Sequence, residues 1–553
     1  MSYTTGSPAS YMSTPSIPVT RLDSQATAFT SASPAAETPG LIVGTGFEGR
    51  SPAPSNDEIE ELVRPLTKHT LSDDVPSSVT LAKVRHNKSE EERLRKELHL
   101  MESTHGKNSV QILHVLRGLF TVLKSQSRYN AAEEIGRRRV LTYRQFYPED
   151  DGYAQAIADL AFLFVVQGQY NRAERLAKKA CALRLSTTGE DDTTIWCKTV
   201  LLQILYQTRQ LQEAEQLSAS LLSLGSMTMS RFEYTIISGE MANALTAQGR
   251  LKEAHDWSIR AYQSSLQTFG ANEINTIASM GIIVYNLELQ AKLDEAEKMS
   301  LEFLSLCREQ FGPEHCHTAS AYHSLGRVYK SQGRWDEAEA LIQAAIIANT
   351  HVFGPNHENT FFCLRSKVEI YIEQQRWDDA ARSMAECQIL LPNLQVKPFV
   401  RISINEAEIL DGQGKYEQAG NIGSEAARLV ETTMPLYAPS SFNVMATILR
   451  NLGDIPASEK FGSKAVEKSR MIYGSNHPQT ARCLDNLART WMVKGESEKA
   501  IQTMKECADS LTSVVGPEHY LTIRSNSILR EWTEWQSMFD VIPLLPSDWC
   551  LPF

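Results

Sequence analysis

Four histidines recur at one place in a repeated loop: His315, His357, His477 and His519, each embedded in a segment of the form Gly-Pro-x-His-x-x-Thr or its near variant. Imidazole can bind a metal, move a proton or cap a helix. A metal needs its ligand atoms about 2 Å away. Helices of neighbouring units pack about 8–10 Å apart, so the four copies are not expected to gather round one ion. His315-Cys316-His317 is the one local His/Cys cluster, and loop packing is the expected role for it too. Nine cysteines are present without a C-x-x-C pair, and most recur at equivalent positions: Cys197, Cys363 and Cys483 in one set, Cys387 and Cys507 in another. Whole units separate the members of each set, too far for disulfides, so they read as small packing residues. Gly44-Thr45-Gly46-Phe47-Glu48-Gly49 has the letters of a dinucleotide loop. The prolines Pro52 and Pro54 follow where that loop would need a helix, so a chance occurrence is expected. Gly106-Lys107-Asn108-Ser109 lacks the earlier glycine and the strand of a phosphate loop. No catalytic residue, cofactor site or metal site is expected, and the reading is a non-enzyme.

Composition sets the frame for these residues. The chain has 553 residues, 42% hydrophobic and 22% charged, with 55 Lys plus Arg against 66 Asp plus Glu, a net charge of −11. That is globular composition with a modest acidic excess, which disfavours nucleic acid as a partner. No apolar run approaches the roughly 18 residues of a membrane helix, so no membrane insertion is expected. Reduced thiols and the absence of a signal-like start suggest a cytoplasmic place, with the nucleus as an alternative.

The elements that position the loops repeat with a period near 42. A large residue after a short turn recurs at Tyr129, Tyr170, Leu211, Leu251, Leu293, Trp335, Trp377, Tyr416 and Ile455, with Ser497 in a tenth, weaker copy. Three positions later the residue is small: Ala132, Ala173, Ala214, Ala254, Ala296, Ala338, Ala380, Ala419, Ser458 and Ala500. Each unit reads as two antiparallel helices. Gly168, Gly249, Gly333, Gly414 and Gly495 end the first helix, and the small residue lets the second approach it closely. The predicted fold is all-α: a right-handed superhelical solenoid of about ten helix-turn-helix units. Its expected organisation is a disordered Ser/Thr/Pro-rich tail over 1–84 that suits phosphorylation, a charged helix or cap over 85–106, the repeats over 107–530, and a capping helix and tail over 531–553.

The pattern L-A-x-x-Y-x-x-x-G-x-[WY]-x-E-A, followed by G-P-x-H-x-x-T, resembles tetratricopeptide repeats of the kinesin-light-chain type. The resemblance covers roughly residues 107–530. It implies a solenoid that binds a peptide or protein partner on the concave face formed by the first helices. The long heptad coiled coil through which light chains join a heavy chain is missing from these 553 residues, so a motor heavy chain is not the expected partner. By the register of the repeat, the inward positions carry Phe162, Tyr206 and Tyr285 in the amino-terminal half. In the carboxy-terminal half they carry Arg327, Lys330, Arg365, Asn405, Arg450, Asn486 and Arg489, with Arg401 and Arg482 one helical turn earlier, as Trp196 is in the amino-terminal half. Asn405 and Asn486 match the position whose Asn binds a peptide backbone in the family. The expected ligand is a segment with an aromatic anchor and acidic flanks. The function expected is an interaction scaffold or adaptor. The alternatives are a regulatory accessory of a signalling or biosynthetic pathway and, more remotely, an enzyme with an unrecognised site. Trp532, Trp535 and Phe539 are expected to cap the last unit. Ser547-Asp548-Trp549 resembles the tryptophan-acidic peptides of the family, which raises the prospect of a self-occupied groove.

Overall fold

The computed structural model describes residues 78–126, 128–185, 191–208, 210–224, 231–394 and 399–541. These form twenty-two α-helices joined by short turns, three of them 3-10, and no strand among the described residues. Helix α1 (Ser78–His105) precedes ten antiparallel pairs, α2 (Leu113–Ser125) with α3 (Tyr129–Phe146) through α20 (Pro478–Lys494) with α21 (Ser497–Val515), and α22 (Tyr520–Val541) closes the array. The second helices begin at Tyr129, Tyr170, Leu211, Leu251, Leu293, Trp335, Trp377, Tyr416, Ile455 and Ser497. Those are the large residues of the repeat, so the sequence register and the helix register coincide.

The small residues explain why the pairs form. All ten, from Ala132 to Ala500, are completely buried. At Ala338, the facing helix brings Gly326 so near that a Cβ there would lie 3.0 Å from Ile342 Cδ1 and 3.3 Å from the Ala338 carbonyl. A larger side chain at this crossing would overpack it at a cost of about 1–3 kcal/mol. Apolar positions on both helices join the cores of successive units, as Tyr322, Leu325 and Tyr329 do with Leu341 and Ile342. The cysteines Cys197, Cys363, Cys387, Cys483 and Cys507 are buried in these cores. Between the helices of a pair the chain must turn through positive φ. Gly333 does so at +82° and Gly495 at +89°, but Ala291 and Gln375 occupy the same place at +58° and +57°.

The loop motif is a closed structural device. Thr276, Thr318, Thr360, Thr480 and Thr522 each donate their hydroxyl to the carbonyl of the glycine six residues before, at 2.6–3.2 Å. The histidine Nδ1 accepts the backbone N–H two residues on: His357 from Asn359 at 3.1 Å, His477 from Gln479 at 3.0 Å. The helix N-terminus is thereby capped by imidazole in place of the usual Ser or Asp.

With Nδ1 accepting, the ring proton sits on Nε2, which faces the preceding turn of the superhelix. His357 Nε2 donates to the Val166 carbonyl at 3.0 Å, His477 to Leu289 at 2.9 Å, and His519 to Ser331 at 3.0 Å. Partners 188–191 residues apart in sequence thus touch. The array winds so tightly that its successive turns meet along a seam. Tyr129 stacks on Phe353 at 5.5 Å there, Tyr170 donates to Glu358 at 2.5 Å, and Trp335 meets Tyr520 edge-on at 5.0 Å. Helix α1 joins the same seam against the helix Leu293–Phe311, while its Leu94 and Leu98 are buried against the first pair. It starts at Ser78, ahead of the charged stretch that the sequence marked. Trp532 packs on the last core as a cap should, but Trp535 is half exposed. The tail 1–77, including Gly44–Gly49, and the segment 542–553 with Trp549 lie outside the described residues.

Candidate functional site: the inner wall and its central cavity

Six successive first helices contribute to one cavity of about 450 Å³. Tyr206 comes from the helix Asp192–Gln207, Asn243 from Arg231–Gln248, Tyr285 from Ile274–Leu289, Arg327 from Cys316–Gln332, Arg365 from Glu358–Glu373 and Arg401 from Phe399–Gly412. Phe362 and Tyr437 complete the aromatic part, Tyr437 from the 3-10 turn Pro435–Tyr437. Five expected inward residues, Tyr206, Tyr285, Arg327, Arg365 and Arg401, are therefore brought to one place. The guanidinium of Arg327 lies over the Tyr285 ring at 4.4 Å, and that of Arg401 over the Tyr437 ring at 4.9 Å. Such contacts place each cation over a ring face, where the ring quadrupole attracts it.

The charges behind this wall are unevenly matched. Glu369 receives Lys330 at 2.7 Å, Arg401 at 3.1 Å and Arg365 at 3.7 Å, three cations on one carboxylate. Burial would raise the Glu369 carboxyl, but Lys330, Arg401 and Arg365 hold it well below the usual range. Arg327 pairs with Glu288. His323, whose Nε2 meets Ser366 Oγ at 2.8 Å, is driven down to about 3 by burial and by the nearby Arg327 and Arg365. It is therefore a neutral hydrogen-bonding group at ordinary pH.

The remaining expected residues lie elsewhere on the wall. Phe162 and Trp196 stand together at 5.7 Å nearer the amino terminus, where Asp159 accepts from Trp196 Nε1 at 3.1 Å and from the buried Arg139 at 2.7 Å. Arg482 is spent on Glu373 at 2.5 and 2.7 Å, and Arg489 on Asp485 at 3.0 Å. Asn486 donates to the Asn443 carbonyl at 2.8 Å and accepts from Arg450, so both its amide groups are engaged inside the wall. Asn405 is buried, and its Nδ2 has no acceptor. Glu369 and Phe362 escaped the sequence reading although the register reaches both. Glu369 stands two positions after Lys367, which holds the place of Leu325 in its own unit, as Arg327 does after Leu325. Tyr437 carried no signal, because it sits in a turn that has no counterpart in the repeat.

A second concavity, a cleft of about 1330 Å³, opens at the seam between Arg128, Tyr129 and Gln169 on one turn and Phe311, His315 and Phe353 on the next. His315, Cys316 and His317 hold their ligand atoms within 4.8 Å of one another. His315 Nδ1 already accepts the His317 N–H at 3.2 Å, and Phe311 stacks on His315 at 4.8 Å. The cluster is built into loop packing. No described helix is long and apolar enough to cross a membrane.

Family models described as tetratricopeptide repeat match residues 154–193, 283–346, 317–387 and 437–513. The chain carries tetratricopeptide repeats. The matched stretches include Phe162, Tyr285, Arg327, Arg365 and Asn486. Among solved structures, a Rap protein complexed with competence and sporulation factor is similar, with a TM-score of 0.52 at 12% identity over 66% of this chain and 99% of that one. The apo form of RapI reaches a TM-score of 0.42 at 12% identity, over 65% of this chain and 98% of that one. At 12% identity the likeness to the first of these is one of fold alone. No curated protein matches the sequence.

Proposed function

We propose that this chain is a non-enzymatic adaptor whose wound tetratricopeptide repeats, of the kinesin-light-chain kind, hold a peptide segment of a partner protein against the inner wall. The observation that carries the reading is the convergence of Tyr206, Tyr285, Phe362, Arg365 and Arg401 on one cavity from helices of successive units. Rigid aromatic surface beside guanidinium groups is the composition of protein-binding hot spots. The anchor expected is an aromatic or apolar side chain near Tyr206 and Tyr285. The acidic partner residue is expected at Arg365 and Arg401, since Arg482 and Arg489 are already neutralised. The Rap structure, with its bound factor, shows an array of this fold occupied by a ligand.

Proximity labelling in cells, followed by overlapping peptides of the labelled proteins in fluorescence anisotropy, tests the reading. The double variant Tyr206→Ala/Tyr285→Ala should weaken the best peptide at least ten-fold, while Trp535→Ala on the last helix leaves it unchanged. Equal affinity in all three proteins would remove the site from the central cavity.

A further inference from the structure

The cavity is lined by three arginines, Arg327, Arg365 and Arg401, and by no carboxylate. Taking the layer behind it into account, the cations are Arg327, Lys330, Arg365 and Arg401, and the anions that pair with them are Glu288 and Glu369. Four against two leaves an excess of positive charge, which Glu408 facing Arg401 offsets only in part, because burial and Glu373 push its carboxyl up to about 7. Glu240, which accepts from Gln203 and from the cavity residue Asn243, does not cancel it, because burial pushes its carboxyl up toward the neutral form. The excess is also incompletely hydrogen-bonded. Arg365 Nε is buried without an acceptor, since Glu369 lies 3.7 Å from it.

The neighbouring titratable groups respond to this field. Burial would raise the Tyr437 phenol, yet Arg365 and Arg401 beside it lower it, and its hydrogen bond with Tyr285 works in the same direction. His323 is held neutral, as described above. A buried guanidinium with an open N–H is costly unless an anion completes it.

We propose that the central cavity is a subsite for a phosphomonoester dianion, carried on a side chain of the partner segment and held by Arg365, Arg401 and Tyr437. The proposal rests on the peptide-binding reading but fails separately from it. A phosphomonoester brings about −1.5 to −2 charge and three acceptor oxygens at neutral pH. Planar guanidinium groups meet such oxygens in pairs. A carboxylate brings a single negative charge and two oxygens. The Tyr437 hydroxyl supplies a donor on the same side as Arg401, and the aromatic wall of Tyr206 and Tyr285 takes the residues next to the phosphate.

Titration calorimetry of the full chain with inorganic phosphate, O-phosphoserine, acetate and a short peptide carrying one phosphoserine tests this. Phosphate and O-phosphoserine should bind at least ten-fold tighter than acetate. Arg365→Gln, which removes the guanidinium least tied into the wall, should weaken both at least ten-fold, and Tyr437→Phe about three-fold. Arg428→Gln, on the outer surface, should change nothing. Circular dichroism of each variant separates loss of binding from loss of fold, and Tyr437→Phe gives the answer if an arginine variant fails to fold. A phosphopeptide tighter than O-phosphoserine places the phosphate on a protein segment, whereas equal affinities point to a small phosphorylated ligand at the same subsite. Acetate as tight as phosphate, or phosphate affinity unmoved by Arg365→Gln and Tyr437→Phe, overturns the inference. Either result leaves the adaptor reading standing if Tyr206→Ala/Tyr285→Ala still weakens an unphosphorylated partner peptide.

Discussion

The seam between superhelical turns and the central cavity are built from the same residue types, yet they end in opposite states. At the seam each imidazole of His357, His477 and His519 uses both nitrogens, one on a helix cap and one on a carbonyl a full turn away. Tyr170 meets Glu358 there as well. In the cavity, three cations share Glu369 and the Arg365 Nε–H has no acceptor. A polar surface that is satisfied is structure. One that is left short of acceptors, with its cost borne by the surrounding fold, is where a ligand completes the molecule.

The difference can be attacked most strongly at Glu369. Glu369→Gln withdraws the carboxylate that Lys330, Arg365 and Arg401 share, and should destabilise the protein by about 3 kcal/mol in urea unfolding, in the range for breaking a buried ion pair. Added phosphate should restore more stability to this variant than to the parent. A smaller effect is expected at the seam. His477→Ala strands the Leu289 carbonyl and the Gln479 N–H and should cost about 1–2 kcal/mol. It should also increase the radius of gyration measured by small-angle scattering, a change that Glu369→Gln should not produce.

Acid separates the two regions as well. The seam needs neutral imidazole, and burial lowers His477 to about 4 against the opposing effect of its bond to Leu289. His357 and His519 are lowered too, first by burial. A histidine whose folded pKa lies below its unfolded value of about 6.5 adds stability above that value and loses it as pH falls. Unfolding free energy should therefore decline between about pH 6.5 and 4, and the decline should be smaller in His477→Gln. The smallest effect belongs to a position in neither region. Gln375 holds φ +57° where other units place glycine, so Gln375→Gly should raise stability by about 1 kcal/mol without changing ligand affinity or acid response.

Much of this architecture was legible in the chain. The large residue that opens each second helix and the small residue three positions on are local requirements of a tight helix crossing, so periodicity alone located all ten pairs. The Thr and Gly of the loop close on each other within six residues, again a local matter. A superhelix was expected, but not one wound tightly enough for its turns to touch: the pitch arises from small rotations summed over four to five units, and no single residue encodes it. For that reason the histidines could be read as loop and cap residues but not as contacts between turns. The inner wall fell between these cases. The register identified Tyr206, Tyr285, Arg327, Arg365 and Arg401, but Lys330, Arg482 and Asn486 proved to be engaged by partners on other helices, and Arg489 by Asp485 on its own. Counting the acidic residues at the same register positions, Glu369 above all, would have exposed part of that pairing from sequence.

Hydrogen exchange read by mass spectrometry, on the full chain with and without its labelled partner peptide, tests the central claim most directly. Protection should increase in the helices Ile274–Leu289, Glu358–Glu373 and Phe399–Gly412 and in the turn Pro435–Tyr437, while the seam loops around His477 and His519 stay as they were. Protection confined to outer helices such as Leu293–Phe311 and Trp335–Phe353, with the inner wall unchanged, would contradict the account.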